Sequence, residues 1–124
     1  MKSLSRIALL AMALAATHAM AAPATVGKSD KGDVLVNAQG MTLYTFDNDM
    51  QGMSMCDGQC ATNWPPLKAD SGSSAEGDWT TVKRSDGSLQ WAYKGKPLYT
   101  WAKDSKAGDT TGDNVKNVWH VAKP

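Results

Sequence analysis

Short stretches of alternating apolar and polar residues dominate the chain, and beyond the first 21 residues no long window has the 3.6-residue period of an amphipathic helix. The first such stretch begins at Val34–Val36 and returns over Met41–Phe46. Its β-branched and aromatic side chains favour a strand, and Gly40 between the two segments can adopt the positive φ of a tight turn. In the returning segment Tyr44 and Phe46 share one face of the strand. The pattern therefore predicts a β-hairpin.

The second half of the chain carries clearer strand and turn signals. Strands are predicted over 79–83, 89–93, 97–101 and 118–122, with turns at 85–87 and 94–95. Pro97 cannot donate a hydrogen bond to a sheet, so we expect it at a strand start or a sheet edge. Cys60–Trp64 could form one helical turn, which Pro65 and Pro66 would end.

The two halves repeat one another at a spacing of 55 residues. Leu43–Asp49 returns as Leu98–Asp104. The same shift relates Val34 to Leu89, Gly40 to Gly95 and Trp64 to Trp119. A repeat of this kind fixes the architecture before any single element does. The shared residues are aromatic, apolar and turn-forming, so they belong to a scaffold rather than to a reaction.

These patterns predict an all-β fold, in which two tandem hairpin repeats form one small antiparallel-sheet domain with long loops. An isolated hairpin is marginal in water, so the repeats must share one core, and nine aromatic residues supply most of it. The predicted organisation is a signal peptide over 1–21, a flexible N-terminal segment over 22–32 and a single domain over 33–124, with repeats at about 33–67 and 79–124.

The N-terminus is typical of a secretory signal. Lys2 and Arg6 accompany a short apolar run at Ile7–Ala16, and Ala19–Ala21 offers a small-x-small cleavage site. The run is too short for a membrane span, which takes about 20 residues. No cysteine lies near the cleavage site to carry a lipid. We therefore expect a periplasmic or secreted protein whose mature form has no membrane anchor.

The charge of the chain points away from nucleic acid. Without Lys2 and Arg6 it has eleven basic and twelve acidic residues, and the basic ones are scattered. Such a surface gives neither a nucleic-acid footprint nor a polybasic membrane contact. Eleven of the twelve acidic residues are Asp, which favours turns and caps over helices.

Two copies of a Tyr-x-aromatic-x-x-Asp motif resemble the signature of a bacterial secreted-repeat family, often predicted lipoproteins of unknown function. The motif residues are Tyr44, Phe46, Asp49, Tyr99, Trp101 and Asp104. Cys56–Cys60 with Asn63–Leu67 is similar to that family's Cys-x-x-x-Cys and Trp-Pro-Pro-Leu segment, and the resemblance covers nearly all of 34–124. It implies a secreted tandem-repeat domain without an established activity, although this chain lacks the family's lipid-attachment cysteine.

The repeated motif allows two interpretations. It could be a ligand platform that occurs twice. Alternatively, its aromatic residues bury in the core, while its Asp caps the turn after the strand or accepts a hydrogen bond from a tyrosine hydroxyl. We favour the structural interpretation, because truncating a buried aromatic residue costs about 3–5 kcal/mol and folding alone would then explain the pattern.

Cys56 and Cys60 predict a disulfide, because an even cysteine count in an oxidising compartment favours pairing. The small ring that they close is worth roughly 2 kcal/mol. A redox or metal role is the alternative, although the spacing is not the Cys-x-x-Cys of thioredoxin-like oxidoreductases.

Three methionines provide the most distinctive candidate chemistry. Met50, Met53 and Met55 lie within six residues, and thioethers are soft ligands that select Cu(I). His120 or a reduced cysteine could complete the coordination shell. The alternative is that the methionines pack against the aromatic core, which methionine does well. Copper is therefore a hypothesis set against the expectation that the protein carries no cofactor.

Little in the sequence indicates an enzyme. The mature chain would keep a single histidine, and it has no Gly-rich phosphate loop and no Ser-His-Asp pattern. We expect a non-enzymatic binding or interaction module of the cell envelope, with an envelope protein or a small ligand as partner. The alternatives are a periplasmic copper-binding or redox-accessory protein that uses the methionines, and a small hydrolase.

Overall fold

The computed structural model describes residues 22–124, so the predicted signal peptide, with His18, lies outside the described residues. Strands dominate the described part, as predicted, and its single α-helix has five residues. The elements are β1 (Thr25–Ser29), β2 (Gly32–Val36), β3 (Tyr44–Phe46), α1 (Gln59–Asn63), β4 (Lys68–Ala69), β5 (Trp79–Lys83), β6 (Leu89–Tyr93), β7 (Lys96–Pro97), a 3-10 turn (Val115–Asn117) and β8 (Trp119–Val121). No helix in residues 22–124 has the length and apolar character needed to cross a membrane.

The strands form three small antiparallel sheets. In the first, β1 pairs with β2, and in the second β3 pairs with β8. The third has the order β4-β6-β5, and β7 also pairs with β6. The predicted all-β class and the two-repeat architecture are therefore confirmed.

The repeats exchange strands across the centre of the molecule. Tyr44 on β3 lies opposite Val121 on β8, and Tyr99 forms the equivalent backbone bridge with Pro66. Both pairs obey the 55-residue spacing, so each repeat's motif segment pairs with the end of the other repeat. Tyr44 and Tyr99 also bridge one another, which places them at the pseudo-two-fold centre of the fold.

The predicted flexible segment over 22–32 is wrong for Thr25–Ser29, which forms β1. Val34–Val36 of β2 needs an edge partner, and β1 supplies it as the other arm of a hairpin whose turn includes Gly32 at φ 86°. Gly27 weakens the strand signal in the sequence. It is there because a Cβ at that position would lie 2.7 Å from a side-chain methyl of Val36.

The predicted hairpin between 34–36 and 41–46 is also corrected. The turn exists, with Gly40 at φ 82°, but the two segments share only a Val36–Thr42 bridge and a 2.9 Å hydrogen bond from the Leu43 N–H to the Leu35 carbonyl. The returning segment then leaves β2 to pair with β8. The strand predicted over 97–101 shortens to β7 for the same reason, because Tyr99 pairs at the centre.

One assumed equivalence shifts by a residue. The hydrogen bond from the Leu35 N–H to the Ala122 carbonyl is matched in the other repeat by one from Trp91 to Leu67. Leu35 therefore corresponds to Trp91 rather than to Gln90, and Val34 corresponds to Gln90 rather than to Leu89. Counted between equivalent paired residues, the stretch from Thr81 to Trp91 holds one more residue than the stretch from Val26 to Leu35.

The core consists of two clusters, and each contains residues from both repeats. One is aliphatic and the other is mostly aromatic. The aliphatic cluster is Ala24, Leu35, Leu43, Leu98 and Ala122, and the aromatic cluster is Tyr44, Cys56, Trp64, Tyr99 and Trp119. Leu43 and Tyr44, adjacent in sequence, point into different clusters, as strand alternation requires. Neither repeat could bury its apolar face alone.

Candidate functional site

The two motif tyrosines meet backbone to backbone. The Tyr44 N–H donates to the Tyr99 carbonyl at 2.8 Å, and the Tyr99 N–H donates to the Tyr44 carbonyl at 3.0 Å. Both side chains are fully buried. The repeated motif therefore forms the contact between the repeats.

The tyrosine hydroxyls then cross to the opposite repeat. Tyr44 Oη donates to Oδ2 of Asp104 at 2.6 Å, and Tyr99 Oη donates to Oδ2 of Asp49 at 2.7 Å. Burial, reinforced by the hydrogen bond to a carboxylate, raises the pKa of Tyr44 and that of Tyr99 well above the usual range. Both hydroxyls therefore stay protonated as donors, and the carboxylates stay bound as acceptors.

The remaining motif residues, Phe46 and Trp101, end a stack of four aromatic rings. From one end to the other the rings belong to Phe46, Trp119, Trp64 and Trp101, with successive centroids 4.2, 3.7 and 3.9 Å apart. The two inner tryptophans are parallel to within 1°. Tyr44 and Tyr99 meet this stack edge-on. All six motif residues are thus engaged in contacts between the repeats.

The exposed chemistry lies beside this centre, in a segment that we call the methionine loop (residues 50–55). Met50 and Met53 exchange backbone hydrogen bonds of 3.1 and 3.0 Å around a turn at Gly52. A bridged pair projects its side chains to the same side, with Cβ atoms about 5 Å apart. The side chains of Met50, Met53 and Met55 are 59%, 52% and 53% exposed. The alternative prediction, that these methionines pack against the aromatic core, is therefore wrong.

The motif centre holds the methionine loop in place. Oδ1 of Asp49 accepts a 2.6 Å hydrogen bond from the Met55 N–H, and Ser54 Oγ lies 2.7 Å from the Tyr99 hydroxyl. Burial raises the pKa of Asp49 despite the hydrogen bonds that its carboxylate accepts from Met55 and Tyr99. On the outer side, the Gly52 N–H donates to the Gly95 carbonyl at 3.0 Å. The loop is fixed at several points, while its methionine side chains stay in solvent.

A buried arginine, which the sequence did not single out, completes the support. Arg84 is only 7% exposed. Its guanidinium donates to the Ser54 hydroxyl at 3.0 Å, to the Gln90 side-chain oxygen at 2.7 Å and to the Cys56 carbonyl at 2.6 Å. In the sequence Arg84 is one half of an ordinary basic pair before a turn. Neither spacing nor composition reveals that it is buried.

The predicted disulfide is confirmed. Cys56 and Cys60 are bonded, Cys56 is fully buried, and the bridge joins the end of the methionine loop to α1. Both sulfurs are therefore occupied and are not available as thiolate ligands beside the methionines. Within residues 22–124 no group of three or more His, Cys, Asp or Glu side chains is placed to hold a metal ion.

His120 does not line the same cavity as Met50, one of the methionines that it was expected to join as a copper ligand. Its Nε2 lies 2.8 Å from Oδ2 of Asp47. A carboxylate can only accept, so the imidazole donates this hydrogen bond. His120 and Asp47 line one cavity, whereas Met50 lines a neighbouring cleft with Asp47 and Asp49. The structure therefore bridges Met50 to Met53 within one loop and places His120 on the wall of a different cavity.

Comparison with protein families gives two matches in this chain, at residues 25–68 and 80–123. Their offset reproduces the spacing of 55 residues, and together they cover most of the described domain. Comparisons with curated proteins and with solved structures found no significant match. The resemblance inferred from the motifs is confirmed: the chain belongs to the Lipoprotein_15 family, a secreted repeat of unknown function, and carries two copies of it.

Proposed function

We propose that this protein is a non-enzymatic binding module of the bacterial envelope, and that it contacts an envelope partner through the methionine loop. The observation that carries the proposal is the exposure of three methionine side chains on a loop that is otherwise fixed. In residues 22–124 the large hydrophobic side chains that are strongly exposed are these three and Val26. Exposed methionines are typical of surfaces that adapt to apolar partner segments.

The engagement of the motif supports a binding role over catalysis. The tyrosine hydroxyls and aspartates of both copies are hydrogen-bonded to one another across the repeats. Groups used in this way are poor candidates for a nucleophile or a general base, which must reach a substrate. The family is described as secreted, and the predicted signal peptide leads us to propose the periplasm as the compartment.

The test replaces Met50, Met53 and Met55 with Gln, which has similar length but is polar. Binding to envelope proteins is compared for wild type and the triple variant by cross-linking in cells, followed by titration with each purified candidate. We expect the triple variant to lose the contact. Val26→Thr is the matched control, because Val26 is equally exposed but lies on β1. A partner that is retained by the triple variant would refute the proposed surface.

The geometry of the loop also favours a second candidate, Cu(I) binding. The bridge between Met50 and Met53 places two thioethers on one side of the loop, and Met55 follows Met53 by two residues. Thioethers bind Cu(I) and survive in an oxidising compartment, where these cysteines pair. In this form of the hypothesis the ligands are the three methionines alone, because His120 lines a different cavity.

Substitution by Leu separates the two candidates. Changing Met50, Met53 and Met55 to Leu keeps an apolar surface and removes every thioether. A Cu(I) competition titration with a chromogenic chelator should then show a large loss of affinity, while binding to a protein partner persists. If the affinity for Cu(I) is the same before and after the change, the copper site does not exist.

A further inference from the structure

A second cavity, distinct from the methionine loop, lies where β3, β7 and β8 meet. Its volume is about 320 Å³, and its lining includes the partly exposed Tyr93 and Val121, with the buried Leu98 and Ala122 behind them. Leu98 and Ala122 belong to the buried aliphatic cluster, so this part of the wall is rigid. The cavity is half open to solvent and large enough for a small molecule.

The rim of this cavity is basic, although the chain as a whole is close to neutral. Lys94, Lys96 and Lys123 all line it, with Asp47 as the only acidic residue among the lining side chains. The Asp47 carboxylate already accepts a hydrogen bond from His120. Three cations around an apolar wall favour a ligand that carries a negative charge.

One of the lysines is available for such a ligand. The Lys123 ammonium donates to the Lys31 carbonyl, and that of Lys94 lies 5.1 Å from the centroid of the Tyr93 ring. Within residues 22–124 the Lys96 ammonium takes part in no hydrogen bond or ion pair. It is therefore a positive charge on the lining of the cavity that no ion pair of the described residues neutralises.

The repeat itself indicates that folding does not require these charges. Asp47, His120 and Lys96 correspond to Ala102, Pro65 and Met41 in the other half of the molecule. The equivalence is structural: the N–H of Asp47 donates to the Val118 carbonyl, and that of Ala102 donates to Asn63.

The neighbouring positions keep their character. Thr45 matches Thr100, Leu98 matches Leu43, and Lys123 matches Lys68. The scaffold is duplicated, whereas the charged set occurs in one copy alone. Because the other repeat forms the same backbone structure without Asp47, Lys96 and His120, these residues are not needed for folding, and another role for them is expected.

We propose that this cavity binds a small organic anion, a carboxylate with a short apolar body. The carboxylate binds Lys96, with Lys94 and Lys123 on the same rim, and the apolar body lies against the partly exposed Tyr93 and Val121. His120, held by Asp47, forms the polar side wall. The site is independent of the methionine loop and of any metal.

The test is a titration of the purified protein with hexanoate at low ionic strength, followed by amide chemical shifts in NMR. We expect saturable shifts at Lys96, His120 and Val121. Lys96→Gln should weaken the affinity roughly two- to fivefold, the range for one exposed charge contact. Because screening by salt is strong at this exposure, the affinity should also fall as salt is added.

The repeat supplies a matched control pair. Lys123→Gln should weaken hexanoate binding, whereas Lys68→Gln, at the equivalent position of the other half, should leave it unchanged. The Leu triple variant of the methionine loop should bind hexanoate as the wild type does, which separates this proposal from the proposed function. Thermal unfolding of each variant confirms that it is folded.

Five results would overturn the proposal. If hexylamine bound with the same affinity as hexanoate, the site would have no preference for an anion. If inorganic phosphate bound with the same affinity as hexanoate, the apolar wall would contribute nothing to binding. Equal losses for Lys123→Gln and Lys68→Gln would place the site elsewhere, as would shifts confined to other residues. The absence of a saturable shift up to tens of millimolar hexanoate would show that there is no site.

Discussion

At the scale of single residues, each Tyr-x-aromatic-x-x-Asp motif acts on the other repeat. Tyr44 donates to Asp104, which lies 60 residues away, and Tyr99 donates to Asp49, which lies 50 residues away. The motif looks local in the sequence because its residues lie within six positions. Its energetic partners are in the other copy, so a change in one repeat affects both.

A double-mutant cycle tests the crossed pairing. Tyr44→Phe leaves Asp104 and the Gly112 N–H without the hydroxyl and should cost about 1–3 kcal/mol of unfolding free energy. Combined with Asp104→Asn, it should show a coupling free energy of about 0.5–3 kcal/mol in denaturant unfolding. The control is Tyr44→Phe with Asp49→Asn, a pair from the same motif that shares no hydrogen bond. The control cycle should be additive, and coupling there equal to that of the crossed pair would contradict the arrangement.

The half-buried carboxyl of Asp49 makes a specific contribution to the pH dependence of stability. Burial raises the pKa of Asp49 in the folded protein above its ordinary value of 3.8. The folded state then holds this proton more tightly than the unfolded state does. Asp49 therefore stabilises the fold most below that ordinary value, and this contribution is lost as the pH rises through the folded pKa.

Asp109 contributes to the pH dependence of stability with the opposite sign. A hydrogen bond from the Lys106 side chain lowers the pKa of Asp109, so its contribution is present above the ordinary value and is lost in acid. We expect Asp49→Asn to make the unfolding free energy rise more steeply with pH, over the range just above 3.8, than it does in the wild type. Asp109→Asn should flatten the acid limb below that window. The check is urea unfolding at half-unit pH steps, and an unchanged curve for Asp49→Asn would contradict the raised pKa.

At the scale of elements, the aromatic stack depends on a loop that crosses it. Gly112 lies in the long segment before β8, and its N–H donates to Tyr44 Oη at 3.2 Å. A Cβ at this position would lie 2.9 Å from the Trp64 ring and 3.0 Å from that of Trp101. The loop can therefore close over the stack only where a residue has no side chain.

Gly112→Ala should destabilise the protein by about 1–3 kcal/mol, because rigid rings must move to accept the methyl group. The matched control is Gly72→Ala, in an open position with nothing within 4 Å of the new Cβ. Neither glycine has a positive φ, so backbone strain does not distinguish them. Thermal unfolding with near-ultraviolet circular dichroism measures both stability and the coupling between the tryptophan rings. Equal effects of the two changes would rule out steric closure as the cause.

At the scale of the whole molecule, the sequence predicts the parts better than their pairing. Alternation and turn residues place β5 and β6 correctly, since a hairpin depends on neighbours in the chain. The same signals extend the pairing of Val34–Val36 with Met41–Phe46 too far, because only a Val36–Thr42 bridge and one hydrogen bond join these segments before β3 leaves β2. That error arises because β3 gains more from the centre, where it meets β8 and Tyr99, than from β2. Such a gain is non-local, and no pattern within one repeat contains it.

The candidate sites follow the same division. The methionines and cysteines can be identified from the sequence as candidate site residues, because they are close together in the chain and therefore stay close together in the folded protein. Arg84 and the lysine-lined cavity are not visible, because each depends on residues that come together from different strands. The repeat provides the one sequence signal for the cavity, which is the loss of charge at Ala102, Pro65 and Met41 in the other copy.

A cut in the chain between the repeats tests whether each repeat depends on the other for folding. The segment 70–75 is exposed and lies between β4 and β5, so a cut at 73/74 leaves every strand intact. Each fragment then keeps its own hairpin but loses the partners of its motif segment. Both core clusters draw on both fragments, so neither fragment can bury its apolar residues alone.

We therefore expect fragments 22–73 and 74–124 to be unfolded separately and to reassemble when mixed at equal concentration. Trp64 is the only tryptophan of the first fragment, and its stacking partners, Trp101 and Trp119, lie in the second. Recovery of the near-ultraviolet tryptophan signal on mixing reports the stack directly. Tyr44→Ala in the first fragment should weaken this assembly, because it removes a ring and a hydroxyl from the interface. A fragment that unfolds cooperatively by itself would show that the repeats are separate domains, and the crossed architecture could not then be what stabilises the fold.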